Sequence, residues 1–317
     1  MLIYRTFRNT DPPIVTSIWR SRTIQRGLLQ PVSVDLFEQL LFGKLYFDYR
    51  GMIIALNEGS PVGFAHAGFG PNESHNWVST EMGVVCMVMV RPESEDSGVA
   101  VGLLERSETY LRQCGARVLF GGGIRPLSPF YLGLYGGAEL PGVLRSDAPA
   151  QSLYRSHGYE ESERTLIFRR ELSGFRPLVD RFQLRLRRAM SLQTIIDAPT
   201  RDWWEACTTG DFDLTRFEIR PRGGGALLGR VTVRSMDSIG LAGPVRSAGL
   251  LELYVDPAQR RQGLATFLLG EALSELSRQG YGVIEAQATE ANAAALGLSR
   301  KLGFEQIDEG VVFRKEA

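Results

Sequence analysis

The chain has 317 residues and balances 36 Lys and Arg against 36 Asp and Glu, which leaves no global field to recruit nucleic acid or an anionic membrane. Apolar residues make up 44% and charged residues 23%, the proportions of a soluble globular protein long enough for two domains. Its three cysteines, Cys86, Cys114 and Cys207, are too scattered for a disulfide framework or a spaced metal cluster and suit a reducing compartment.

In chain order, the opening MLIYRTFRNTDPP lacks the apolar stretch of a signal peptide, and no later run is long enough to span a bilayer. A cytoplasmic protein is expected. Residues 11–42 read as a helical preface. MIIALNEGSPVGFAHAGF (52–69) reads as a hairpin around an Asn-Glu-Gly-Ser turn. VVCMVMV (84–90) is a strand stopped by Arg91-Pro92. A helix follows, opened by EDSGVA (95–100) and stopped at Gly115, and VLFGGG (118–123) returns as a strand. The next segment, GGGIRPLSPFYLGLYGGAELPGV (121–143), is about twenty residues longer than its counterpart later in the chain. Phe130, Tyr131, Leu132, Leu134 and Tyr135 mean that it packs, either walling a substrate cleft or covering a groove of its own half. A short helix at 150–157 and the strand TLIFRREL (165–172) close this half.

Gly174 and Pro177 interrupt the pattern, which puts a linker at 173–180. A reduced helical preface is expected around 201–207, with Trp203 and Trp204 as packing residues. FEIRPRGGGALLGRVTVRSM (217–236) is a second hairpin, and LLELYV (250–255) a strand broken by Asp256-Pro257. Leu264, Phe267, Leu268, Ala272 and Leu276 share one face of a helix that Gly280 stops. VIEAQAT (283–289), a helix at 293–302 and the strand EGVVFRK (309–315) follow.

The two halves are copies. At an offset of 165 residues, Val255, Pro257, Gly263 and Ala265 fall on Val90, Pro92, Gly98 and Ala100; Leu268, Leu276, Gly280 and Val283 fall on Leu103, Leu111, Gly115 and Val118. Each half reads hairpin, strand, helix, strand, helix, strand, and one helical crossover makes the central strands parallel. The fold class is therefore α/β with mixed, mostly antiparallel sheets, in two tandem domains at 1–172 and 181–317.

RRQGLA (260–265) sits where a strand hands over to a helix N-terminus. Unpaired N–H groups and the helix dipole favour an anion there. Gly263 lets the anion approach the backbone, Arg260 and Arg261 offer forked cationic donors, and Gln262 adds a neutral one. This is a diphosphate cradle without the fingerprint of nucleotide hydrolases or dinucleotide folds. The alternative is a solvated basic turn.

Val255-x-Pro257, Arg260-x-x-Gly263-x-Ala265, Asn292-x-x-Ala295 and Gly303-Phe304 together resemble the GCN5-related N-acetyltransferases, over about residues 217–315. The first half resembles them more weakly, through Asp147, Ala150, Tyr154 and Gly158-Tyr159. The resemblance implies a tandem acetyltransferase fold with acetyl-CoA as co-substrate and no metal. It implies that the diphosphate rests on Arg260, Arg261, Gln262, Gly263, Leu264, Ala265 and Thr266. The pantetheine arm would lie between splayed strands at Leu253, Tyr254 and Val255, with Asn292 bonding it. A Tyr that often serves as general acid in this family is matched by Tyr154 in the first half and by Ser299 in the second. Ser299 would assist through a water, another residue such as Tyr254 would substitute, or the thiolate would leave unaided.

For the base, Glu252 comes first, since its two-residue phase matches Tyr254 and Leu250, and Glu285 comes second. The alternative for both is an exposed strand carboxylate. His66, His75 and His157 have no metal-ligand spacing. In the first half Glu95 and Asp96 replace the arginines, and each unit charge ~5 Å from a phosphate repels it by roughly 3 kcal/mol at an effective dielectric near 20. The expectation is one coenzyme site, in the second half, transferring acetyl directly to a primary amine of a small molecule or peptide. The runner-up is a protein that binds acetyl-CoA without turnover. A transferase using aminoacyl-tRNA is disfavoured by the neutral charge and the intact Arg-Arg-Gln-Gly turn, so no nucleic acid or membrane partner is expected, and the protein is a monomer or homodimer.

Overall fold

The computed structural model describes residues 1–23, 25–237 and 245–317, without the side chain of Asp96. In the first repeat β1 (Leu2–Thr6) leads to α1 (Pro12–Ser21), begun by proline, and to the single turn α2 (Val34–Phe37). The Ser33 hydroxyl caps α2 by accepting from the Leu36 N–H at 3.1 Å. Then come β2 (Met52–Asn57), β3 (Ser60–Pro71), β4 (Val78–Val90), α3 (Val99–Gln113), β5 (Val118–Gly121), β6 (Val143–Leu144), α4 (Ala148–Ser156) and β7 (Glu160–Glu171). The second repeat has α5 (Arg181–Ala189), β8 (Met190–Ile196), α6 (Trp203–Thr209), β9 (Leu214–Pro221), β10 (Gly229–Ser235), β11 (Ser247–Val255), α7 (Leu264–Arg278), β12 (Val283–Thr289), α8 (Ala293–Lys301) and β13 (Glu305–Glu316).

These elements gather into two units that are not consecutive stretches of chain. Unit 1 holds residues 1–165, 201–211 and 309–317; unit 2 holds 166–200 and 212–308. The sheet of unit 1 runs β1-β2-β3-β4-β5-β13, with β6 also on β13. That of unit 2 runs β7-β12-β11-β10-β9-β8. Each repeat thus surrenders part of its closing strand: Val311 and Phe313 pack in the core of unit 1, and Phe168 and Leu172 in the core of unit 2. The central pairs β4/β5 and β11/β12 are parallel and their other ladders antiparallel, a mixed α/β arrangement repeated in tandem.

Both long helices form for the reason their stripes predict. α7 buries Leu264, Phe267, Leu268, Leu269, Leu273 and Leu276 against its sheet. Each such side chain is worth roughly 1.5–3 kcal/mol over exposure, enough to hold a helix whose terminal groups are only partly satisfied. α3 does the same with Val99, Leu103, Leu104 and Leu111.

The second half's preface departs from the sequence expectation. α6 belongs to unit 1, where Trp204 is buried and its indole N–H donates to the Pro126 carbonyl at 3.3 Å. Trp203 stacks on Trp77 instead of entering the core. α5 and β8 occupy residues that the sequence left without structure. Asp180 starts α5, its carboxylate accepting from the Phe182 and Gln183 N–H groups at 2.8 and 2.7 Å. Among the described residues no helix is long and apolar enough to cross a membrane.

Candidate functional site

β11 and β12 pair over Ser247↔Val283, Ala248↔Ile284 and Gly249↔Glu285, and there the ladder ends. The cause is a bulge. On β10, Thr232 faces Glu252 and Val233 faces Leu250, so Leu251 is an extra residue that bends β11 away. Residues 250–255 and 286–288 then line a cavity of about 660 Å³, walled on a third side by Asn292, Ala295, Leu298 and Ser299 of α8. Backbone groups released from a ladder need other partners, and an extended polar ligand supplies them.

At the end of β11 the chain turns into α7. Asp256 accepts from the Ala258 N–H at 2.8 Å, and Arg260 Nε donates to the Val255 carbonyl at 3.2 Å, fixing the turn to the strand. Arg261 and Gly263 both have positive φ, 64° and 67°. A non-glycine residue there is strained by roughly 1–3 kcal/mol, and such turns gather N–H groups into an anion-binding concavity. Gly263 is the N-cap of α7, so the N–H groups of Leu264, Ala265 and Thr266 lack intrahelical acceptors. Arg261 is exposed and has no carboxylate partner among the described residues. Lys301 on α8 adds a third cation to the cavity wall.

Most of the residues singled out from the sequence meet here. Glu252, Leu253, Tyr254, Val255, Arg260, Arg261, Gly263, Leu264, Ala265, Thr266, Asn292 and Ser299 all line the cavity. Gln262 does not contribute to the wall; its amide reaches only the Ala258 carbonyl, at 3.5 Å. Asn292 caps α8, its Oδ1 accepting from the Ala295 N–H at 3.1 Å. Both Glu252 oxygens accept from Arg230, at 3.0 and 3.1 Å, and the same guanidinium lies 5.0 Å over the Tyr254 ring. Leu250 packs on the core instead of sharing the face of Glu252, because the bulge at Leu251 resets the alternation. Glu285 is buried and pairs with Arg169 at 3.1 Å, off the cavity wall.

The first copy has the same frame and a different filling. β4 and β5 pair from Met82↔Val118 to Val85↔Gly121, and the bulge residue is Cys86, whose thiol burial pushes up to about 12. Where the ladder ends, the Tyr154 ring lies on Gly121 and its hydroxyl donates to the Val85 carbonyl at 3.3 Å. That hydroxyl is buried, contrary to the surface position a packed helix aromatic would give it. The 121–143 segment packs inward, with Phe130 against His66 and Tyr46, and Tyr131 stacked on Trp19. Asp147, at the place of Asn292, has its carboxyl pushed up by burial and accepts from the Tyr135 hydroxyl at 3.4 Å. Arg22 donates to the Val90 carbonyl at 3.2 Å and forms an ion pair with Glu95. Glu95 is therefore neutralised, which amends the expectation of a bare repulsive carboxylate; the side chain of Asp96 lies outside the described residues.

The sequence model of the Acetyltransferase (GNAT) family matches residues 18–122 and 188–304. The chain belongs to the GNAT family. The two matched stretches give this GNAT chain one copy in each repeat. It is 37% identical over 59 residues to the [ribosomal protein bS18]-alanine N-acetyltransferase of Escherichia coli strain K12, a match spanning 19% of this chain and 40% of that relative. Among solved structures, a tandem GNAT protein from the clavulanic acid biosynthesis pathway superposes with a TM-score of 0.69 at 16% identity, covering 100% of this chain and 98% of that one. A GNAT from Sphaerobacter thermophilus gives 0.65 at 15% identity, covering 99% and 95%. At such identities these likenesses show the tandem GNAT fold.

Sequence reasoning missed Lys301 and Gln287 on this GNAT cavity. Lys301 was within reach, since Ala294, Gly297, Leu298 and Lys301 recur at helical spacing and all line the wall.

Proposed function

We propose that the chain is an acetyl-CoA-dependent N-acetyltransferase with its working site in unit 2, moving an acetyl group directly to a primary amine. The observation that carries this is the junction of an opened parallel pair with a glycine turn whose Arg261 is uncommitted. The residues fit the coenzyme. Gly263 leaves no side chain on the turn, the first-turn N–H groups of α7 suit a diphosphate, and the cavity can hold an extended arm. Bound acetyl-CoA would supply a thioester-activated acetyl group. Glu252 would take the proton of the incoming amine at a carboxylate oxygen, directed by Arg230. The Ser299 hydroxyl would hand a proton, through water, toward the departing sulfur. The first copy would serve as a scaffold, its groove filled by Tyr154 and its strand-end carbonyl held by Arg22.

Small-molecule amines and peptide N-termini are the two acceptor classes to compare; the bacterial relative, whose name gives a ribosomal protein alanine as acceptor, makes N-terminal amines a class to test. We place the reaction in the cytoplasm, in a monomer or homodimer. A second reading, a binder of acetyl-CoA without turnover, is favoured by Ser299 standing where Tyr is common and by the Arg230 fork on Glu252. Thiol release from acetyl-CoA, followed with and without a panel of amines and peptides, separates the two. Acceleration by an amine, lost in Arg261→Glu, supports the enzyme. Binding without release supports the second reading, and absence of binding refutes both.

A further inference from the structure

We infer that α5 is the binding element for the 3′-phosphoadenosine end of the coenzyme, with Phe182 as a stacking platform for adenine and Gln183 and Arg185 as polar contacts. This rests on the diphosphate reading of the Gly263 turn given above. α5 precedes β8, the counterpart of β1, and so lies outside the repeated unit. It meets the cradle directly: a Cβ placed on Gly263 would fall 2.7 Å from Phe182 Cε1 and 3.4 Å from Gln183 Nε2. The corresponding Gly98 of the first copy has nothing within 4 Å. The added helix therefore marks the copy with the cationic turn.

Its surface is unusual for a helix that buries so little. Phe182 is 40% exposed although it touches the turn, so part of the ring is open to a ligand. Gln183 is 6% exposed, and its carboxamide, 3.4 Å from the place of a Gly263 Cβ, makes no hydrogen bond to the described residues, which leaves it free to meet a ligand at the turn. Arg185 lies 5.8 Å over the Phe182 ring, and neither it nor Arg181 has a carboxylate partner among the described residues. An ion pair between Arg187 and Glu271 pins α5 to α7. A half-exposed ring, an amide without a hydrogen bond and guanidinium groups without a carboxylate partner together suit a phosphorylated nucleoside. None of these residues lines the cavity between β11 and β12, so α5 serves the part of the ligand on the far side of the diphosphate from the arm.

Calorimetric titration of the full chain with coenzyme A, dephospho-coenzyme A and 4′-phosphopantetheine tests this. The wild type should prefer coenzyme A to both truncated forms. Phe182→Ala should weaken coenzyme A by about tenfold, as loss of base stacking does, and leave phosphopantetheine unchanged. Phe182→Trp should restore affinity, and Arg185→Ala should erase the preference over dephospho-coenzyme A. Normal coenzyme A binding by the wild type with unchanged affinity in Phe182→Ala overturns the inference alone. So does an equal loss for phosphopantetheine. No coenzyme A binding by the wild type overturns it together with the functional reading.

Discussion

Gly263 and Gly98 form a matched experiment that the chain carries within itself. Both are N-caps of long helices, with φ of 67° and 75°, in the left-handed region where a side chain crowds the following carbonyl. Alanine at either position should cost about 1–2 kcal/mol of stability for the backbone alone. At Gly98 the added methyl meets nothing within 4 Å. At Gly263 it meets Phe182 at 2.7 Å, closer than carbon atoms approach, so the half-exposed ring must swing outward. The stability losses should therefore be similar and the binding consequences different. Urea unfolding should give both variants lower midpoints with unchanged m. Coenzyme A affinity should fall on the order of tenfold, about 1.4 kcal/mol, in Gly263→Ala and stay at the wild-type value in Gly98→Ala. Equal effects on binding would refute the assignment of one working cradle, and full stability in both would refute the backbone argument.

Three further outcomes are expected. Glu252→Gln should lower turnover about 10²–10⁴-fold while coenzyme affinity holds; steady-state rates check this, and unchanged turnover removes Glu252 from the mechanism. Ser299→Tyr should restore the phenol that is common at this place and raise turnover about tenfold or more while coenzyme affinity holds; steady-state rates showing no gain would mean that Ser299 does not limit the reaction. His66 is buried among Phe47, Phe130 and Tyr131, and burial holds its imidazole neutral down to about 3, against an ordinary 6.5. Between those values the unfolded chain binds a proton that the folded chain does not, so stability falls as pH drops, by up to about 1.4 kcal/mol per unit. Urea midpoints at pH 7 and pH 5 should converge in His66→Phe, and an undiminished slope would contradict the assignment.

What was legible followed from backbone chemistry. Pro257, Gly263 and Gly280 announce strand end, helix start and helix stop because few other residues fit those positions, and their recurrence as Pro92, Gly98 and Gly115 exposes the repeat. The exposed cationic turn at Arg260 and Arg261 was readable for the same local reason. What escaped depends on distance or on one extra residue. The bulge at Leu251 leaves no mark in LLELYV, yet it shifts the alternation so that Leu250 packs against the core, and the β11/β12 ladder ends there. α5 buries only Gln183, but Phe182, Leu186 and Met190 recur at four-residue spacing, with Leu186 and Met190 against the core, a stripe that periodicity could have shown. Arg22 reaches Glu95 from 73 residues away, and nothing near Glu95 in sequence shows that its charge is neutralised.

The exchanged closing strands make the repeat boundary in the gene a poor place to cut the polypeptide. A fragment ending before residue 173 would lack the Val311 and Phe313 side chains that fill its interior, and one beginning there would lack Phe168 and Leu172. Each fragment would present a raw hydrogen-bonding margin beside a notch in its interior, an invitation to aggregate. Each repeat thus lends the apolar side chains that finish the interior of the other's unit.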